Sequence, residues 1–193
     1  MNLLILFFGY LFGSFPSGYL AGRIVKGIDI RSLGSGSTGA TNVLRHIGKR
    51  AAITVFLVDV SKGFLSILLA KYFLLNDSWQ VAIGLSTLMG HIWPVWLNWK
   101  GGKAVATGLG IFLGLSWQVG LATLGIFLLI ITLFRIVSLA SISAAIALPL
   151  IMFLSFESSS ISLPFLVVSL LAMTLIVWRH RENIVRLMKW KEP

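Results

Sequence analysis

Long apolar blocks separated by short polar stretches set the strongest limit on how this chain can fold. A helix crossing the ~30 Å hydrocarbon core of a bilayer needs about 20 mainly apolar residues. Stretches of that kind can be drawn at 3–22, 51–75, 79–98, 104–115, 119–134, 136–156 and 162–178. The fourth is short and, at about 1.5 Å per residue, reaches only part of the way across. Only 11% of the residues are charged, whereas a soluble domain carries roughly a quarter. The expected fold class is an all-α integral membrane protein of about seven transmembrane helices, one of them short or half-membrane, in a single domain over 1–193. The leading apolar stretch has no basic start and no small-residue cleavage site, so it is read as a retained helix.

The basic residues orient this bundle. Arg23, Lys26, Arg31, Arg45, Lys49 and Arg50 fall between the first two spans, Lys100 and Lys103 between the third and fourth. Arg135 precedes the sixth span, and Arg179, Arg181, Arg186, Lys189 and Lys191 follow the seventh. The intervening loops carry Asp77 and Glu157 and no basic residue. By the positive-inside rule the basic face is cytoplasmic, the N-terminus is outside and the C-terminus inside. A hairpin of the fourth and fifth spans keeps both of its ends, Lys103 and Arg135, on that face. The formal charge of +10 is thus a matter of topology. Anionic lipids and substrates are the expected partners, with no nucleic acid.

Three cytoplasmic stretches carry chemistry. The first reads Gly34-Ser35-Gly36-Ser37-Thr38-Gly39-Ala40-Thr41-Asn42-Val43-Leu44-Arg45. Its glycines let the backbone turn N–H groups toward one point, and Ser35, Ser37, Thr38, Thr41 and Asn42 add donors. A helix opening at Thr41 would place an anion at its N-terminus, with Arg45 about a turn further on. The Gly-Lys-Ser/Thr ending of a nucleotide P-loop is absent, and a merely flexible linker is the alternative. The second stretch, Lys100-Gly101-Gly102-Lys103 after Gly90-His91-Ile92-Trp93-Pro94, is a second candidate phosphate cradle or a tight turn. In the third, helical spacing puts His180 and Asn183 on one face, continued inward by Trp178. A basic end resting on lipid headgroups is the alternative there.

Within the spans, Asp59 and Lys62 are spaced to neutralise each other, either as a structural pair or as part of a site. Ser138, Ser141 and Ser143 would either donate to a ligand or mediate helix packing. Pro16 and Pro94 lie inside spans and should kink their helices and free backbone carbonyls, in either a packing or a functional role.

What is missing narrows the reaction. With no cysteine there is no disulfide, thiol nucleophile or cysteine-ligated metal. His46, His91 and His180 have no metal-ligand spacing, and no cofactor is implied. There is no Gly-x-Ser-x-Gly elbow, no carboxylate pair, and no histidine followed five positions later by aspartate. Transfer chemistry would then rest on positioning and charge neutralisation, which suits an already activated substrate.

In order and spacing, the 34–45 loop, the 90–103 stretch and the tail Arg179-His180-x-x-Asn183-Ile184-x-Arg186-Leu187 resemble the bacterial membrane glycerol-3-phosphate acyltransferases that use acyl phosphate. One departure is Trp190, where the family pattern has glycine, two residues before Glu192. The resemblance implies transfer of a fatty acyl group from acyl phosphate to the 1-hydroxyl of glycerol 3-phosphate, at the first step of phospholipid synthesis. The products would be lysophosphatidic acid and phosphate, with no acyl-enzyme and no obligate protein partner. The site would lie on the cytoplasmic face of the bacterial inner membrane. Ser35, Ser37, Arg45 and Lys103 are then expected to neutralise the leaving phosphate. His180 and Asn183 would orient the acceptor with help from Ser141, and Gly36, Thr41, Asn42, Gly101 and Gly102 would complete the binding loops. An anion transporter is the rival class; it would show inverted repeats and midplane charges, and no repeat is visible.

Overall fold

The computed structural model describes residues 1–157 and 162–192, so part of the expected outer connection after the sixth span lies outside the described residues. The chain divides into two compact units, Met1–Ile111 and Phe112–Pro193. The first holds α1 (Asn2–Gly13), α2 (Ser17–Lys26), α3 (Ala40–His46), α4 (Lys49–Tyr72), α5 (Asp77–Ile92) and most of α6 (Val105–Leu115), with 3-10 turns at Ile30–Ser32 and Val95–Leu97. The second holds the end of α6, then α7 (Trp117–Phe134), α8 (Val137–Glu157), α9 (Leu163–Arg179) and α10 (Arg181–Met188).

Helix α4 is built the opposite way round from a soluble amphipathic helix. Asp59, Lys62 and Ser66 are buried, while Phe56, Leu57, Leu65 and Leu68 face outward. Such a pattern is stable only where the surroundings are as apolar as the outward face, which is the situation in lipid. The inward face lets helices approach closely. A Cβ at Gly63 would collide with the Thr107 carbonyl of α6, and one at Gly110 with the Val60 carbonyl of α4, the small-residue contact that membrane helices favour. Ile5, Ala70, Leu75 and Ile83 form one core cluster; Ile30, Val43, Ala52 and Val55 form another, which seats the first loop on the start of α4.

At both prolines the helix is interrupted and not merely kinked as expected, and other chain segments take up the carbonyls released. The chain is interrupted at Pro16 between α1 and α2, and Lys62 Nζ donates to the Gly13 and Phe15 oxygens at 3.2 and 3.0 Å. Helix α5 ends before Pro94, and the Tyr10 hydroxyl donates to the Trp93 oxygen at 2.8 Å.

In the second unit, Ser116 alone separates α6 from α7, and the turn brings Gly120 hard against Leu113. Helix α7 packs along α8, and α8 along α9. A bend of 60° separates α9 from α10. Among the described residues, four helical stretches are long and apolar enough to cross a membrane: Asn2–Lys26, Lys49–Tyr72, Trp117–Phe134 and Val137–Ser155. The bent pair α9–α10 makes a fifth. The other two expected spans are helical but short, α5 at 16 residues and α6 at 11. The span drawn at 79–98 stops early because Pro94 can neither donate to the helix nor leave Trp93 helical.

Candidate active site

The first loop is organised by Asn42. Its amide nitrogen donates toward the Ile30, Leu33 and Ser37 oxygens at 3.0, 3.0 and 2.9 Å, and its Oδ1 accepts from the Ser35 N–H at 3.3 Å. Only 2% of Asn42 is exposed. Expected as a substrate-binding donor, Asn42 has both ends of its amide engaged within the loop, and its Oδ1 holds the backbone at Ser35. Ser37 is also turned inward; it is buried, and its hydroxyl accepts from the Gly39 N–H at 3.3 Å. Gly34 and Gly36 have φ of 55° and 65°, a region open to glycine at no steric cost. A Cβ at Gly34 would also strike His46 and Asn42. Ser35 and Thr41 are half-buried, and Arg45 lies on the exposed side of α3.

Arg31 links this loop to the second. Its Nε and Nη2 donate to Asp29 at 3.0 and 2.7 Å while its Nη1 donates to the Leu97 oxygen at 3.0 Å. The side-chain hydrogen bond from Arg31 holds the Asp29 carboxyl below its ordinary range, and the same bond raises the guanidinium. Tyr19 lies under both Arg23 and Arg31, with its ring centre 5.3 and 5.1 Å from the two guanidinium carbons.

The Lys-Gly-Gly-Lys stretch is not an open cradle of N–H groups. Gly101 donates to the Ile92 oxygen and Gly102 to the His91 oxygen, each at 3.1 Å. A Cβ at Gly101 would strike the His91 oxygen, and one at Gly102 the His91 ring. Close packing on His91 therefore accounts for both glycines, and the N–H groups expected to meet a phosphate are directed to protein carbonyls. Lys103, half-buried, follows directly.

Behind this turn lies a buried polar network that the sequence disclosed only in part. Asp59 Oδ1 is 2.7 Å from Lys62 Nζ and accepts from the Ser17 hydroxyl at 2.6 Å. Lys62 Nζ is 3.3 Å from His91 Nδ1, which lies 3.7 Å from Asp59 Oδ1. The expected Asp59–Lys62 pair is present. Ser17 and His91 extend that pair; their part in it has no sequence signal beyond a histidine inside an apolar span close to a proline.

In the second unit the site residues gather at the α9–α10 bend. His180 is buried and its Nδ1 lies 2.8 Å from the Ile176 oxygen. A carbonyl only accepts, so Nδ1 carries a proton and Nε2 is the acceptor in the neutral ring. Asn183 is buried and donates to Glu192 Oε1 at 2.5 Å, while Arg186 Nε donates to Oε2 at 2.6 Å. Burial pushes the Glu192 carboxyl up, but hydrogen bonding to Asn183 and Arg186 outweighs it and holds the carboxyl below its ordinary value. Trp178 does not continue a shared face with His180 and Asn183, because the helix bends between them. Its half-exposed ring instead meets Arg179 and Arg181, at 5.8 and 4.8 Å. Ser141 is buried and donates to the Val137 oxygen at 2.8 Å, so its donor is used within its own helix. Trp190 takes φ of 54°, the left-handed conformation that a glycine would take at that place. Among the described residues no three His, Cys, Asp or Glu side chains come together as metal ligands would.

The profile of the glycerol-3-phosphate acyltransferase family matches residues 3–190. The chain belongs to that family. A glycerol-3-phosphate acyltransferase of Prochlorococcus marinus strain NATL2A is 87% identical over 193 residues, covering all of this chain and 98% of the relative. One from Parasynechococcus marenigrum strain WH8102 is 62% identical, covering 99% and 88%. Among solved structures, the glycerol 3-phosphate form of PlsY (YgiH), an integral membrane glycerol 3-phosphate acyltransferase, superposes with a TM-score of 0.93 at 39% identity, covering 100% of this chain and 94% of that one. Its lysophosphatidic acid form gives 0.90 at 38% identity with the same coverage. Membership of an integral membrane acyltransferase family agrees with the inverted polarity of α4.

Proposed function

We propose that the chain transfers a fatty acyl group from acyl phosphate to the 1-hydroxyl of glycerol 3-phosphate, giving lysophosphatidic acid and inorganic phosphate. The observation that carries this reading is the Arg31 bridge, which holds two glycine-rich basic loops together within the first unit. A phosphorylated donor and a phosphorylated acceptor both need cations close to where charge sits or develops. The names of the relatives supply the acceptor. An activated donor is supported by the lack of a nucleophile: the chain has no cysteine, and the His91–Asp59 pair is buried with Lys62 set against both members.

In the reaction, the acceptor hydroxyl oxygen attacks the acyl carbonyl carbon and the bond from that carbon to the phosphate oxygen breaks. The hydroxyl proton ends on the departing phosphate. Ser35, Arg45 and Lys103 neutralise the charge that develops, with Gly36 and Thr41 beside them. His180 and Asn183 orient glycerol 3-phosphate, and Ser141 is a lesser contributor through its oxygen. No acyl-enzyme forms. We further propose that the whole chain acts as one domain with seven spans in the bacterial inner membrane, the site facing the cytoplasm. The segregation of basic residues supports that orientation.

The test uses detergent-purified protein with glycerol 3-phosphate and either palmitoyl phosphate or palmitoyl-CoA, following lysophosphatidic acid. Product from acyl phosphate alone, lost in Ser35→Ala and Arg45→Ala, is the expected result. Turnover only with the thioester would overturn the donor. For His180→Ala, a raised KM for glycerol 3-phosphate is expected from an orienting role, whereas loss of the pH dependence of kcat would instead identify a base.

A further inference from the structure

A short path connects the Ser17–Asp59–Lys62–His91 network to a residue assigned to the reaction. The path runs through His91. Lys62 Nζ lies 3.3 Å from His91 Nδ1, and that edge of the ring faces the Asp59–Lys62 pair. Contact with the pair orients the ring, and the Nε2 edge is the surface against which Gly102 rests. The same residue's carbonyl accepts the Gly102 N–H, and its neighbour Ile92 accepts from Gly101. The backbone entering Lys103 is thus held from two sides by one residue.

The other end of the network is equally tied down. Lys62 is held by Asp59 and by the two carbonyls released at the Pro16 break, and Asp59 by Ser17 on the far side of that break. Lys62 and Asp59 are 2% and 1% exposed. A buried ion pair adds little net stability compared with apolar residues of the same shape. Its retention is better explained by geometry, because four polar groups surround one ammonium group and leave it little choice of position.

We infer that this buried network is a positioning device for the Gly101-Gly102-Lys103 turn, with His91 as the residue that transmits its geometry to Lys103. Three of the anchoring elements, α1, α2 and α4, thereby set the placement of a loop that follows α5. The inference rests on the proposed role of Lys103 only for its kinetic consequence.

Two measurements test it. The natural chain lacks cysteine, so a nitroxide can be attached uniquely at Lys100→Cys, an exposed site at the edge of the turn. The spectrum is recorded with His91 intact and in His91→Ala. A shift toward fast motion in the His91 variant is expected, and an unchanged spectrum in folded protein would overturn the inference. The second measurement is kinetic and uses His91→Ala, Lys103→Ala and both together without the label. His91→Ala should lower kcat/KM on the order of 10²-fold, the scale of an ångström-sized misplacement. It should alter the same kinetic parameter as Lys103→Ala and add nothing to it in the double variant. Multiplying losses in the double variant would show that His91 acts elsewhere and sink the proposal. Should Lys103→Ala be fully active while the label still loosens, the role of Lys103 fails and the positioning device stands. If His91→Ala does not fold, the double variant Asp59→Asn/Lys62→Met, which removes both charges together, takes its place with the same expected readouts.

Discussion

Asn42 illustrates how a side chain rich in donors can serve the loop instead of the ligand. Its amide fills the acceptors of three backbone carbonyls drawn from Ile30 to Ser37, and its oxygen takes the Ser35 N–H. Asn42→Ala removes these buried hydrogen bonds, at a cost of about 1–3 kcal/mol. The expected outcome is a lower melting temperature in detergent together with reduced turnover, because Ser35 is no longer held. Retained stability with lost activity would instead assign Asn42 to direct binding. Trp190 makes a related point. It occupies a left-handed backbone position, which glycine would adopt without strain. The associated strain, of order 1–2 kcal/mol relative to glycine, has not prevented the chain from bringing Glu192 back onto Asn183.

At the level of elements, the breaks matter more than the helices. The Pro16 interruption supplies acceptors for Lys62, the Pro94 ending supplies one for Tyr10, and the bend at His180 separates Trp178 from Asn183. The C-terminal return onto α10 is held by a carboxylate, which makes it sensitive to acid. Glu192 has an ordinary value of 4.5, and its folded value is lower. A depressed carboxylate contributes stability that is complete above the ordinary value and is lost as pH falls through the folded one. The difference in melting temperature between the wild-type chain and Glu192→Gln should therefore be largest near neutrality and vanish in acid. Asp29 titrates in a similar direction, but it is present in both proteins and cancels from the difference. A difference that stays constant through that range would show that Glu192 holds the tail by packing alone.

For the whole molecule, the orientation proposed from charge predicts which loops meet which compartment. With no native cysteine, single substitutions report cleanly. In intact cells a membrane-impermeant maleimide should label Asp77→Cys and leave Arg50→Cys unmodified until the membrane is opened. The reverse pattern would invert the bundle and place the glycine-rich loops outside.

The sequence by itself determined the environment, the helical class, the segregation of charge and the three stretches on which the proposed site rests. Those properties come from local composition and from the length of apolar runs, which do not depend on what lies across the bundle. It also located the Asp59–Lys62 pair, because three residues on one helix are neighbours whatever the fold. Only the tertiary structure decided how the polar groups within those stretches are used. Whether Gly101 and Gly102 offer N–H groups to a phosphate depends on two carbonyls at the end of α5 that α5 itself leaves unsatisfied. Whether Asn42 meets a substrate depends on carbonyls five to twelve residues away that the folded loop brings onto its amide. The tie between Lys62 and His91 joins residues 29 apart and needs α4 and α5 in one particular register. Hydrogen bonds short in space and long in sequence carry no periodic signal, so the reach of each donor became legible only once the helices had packed.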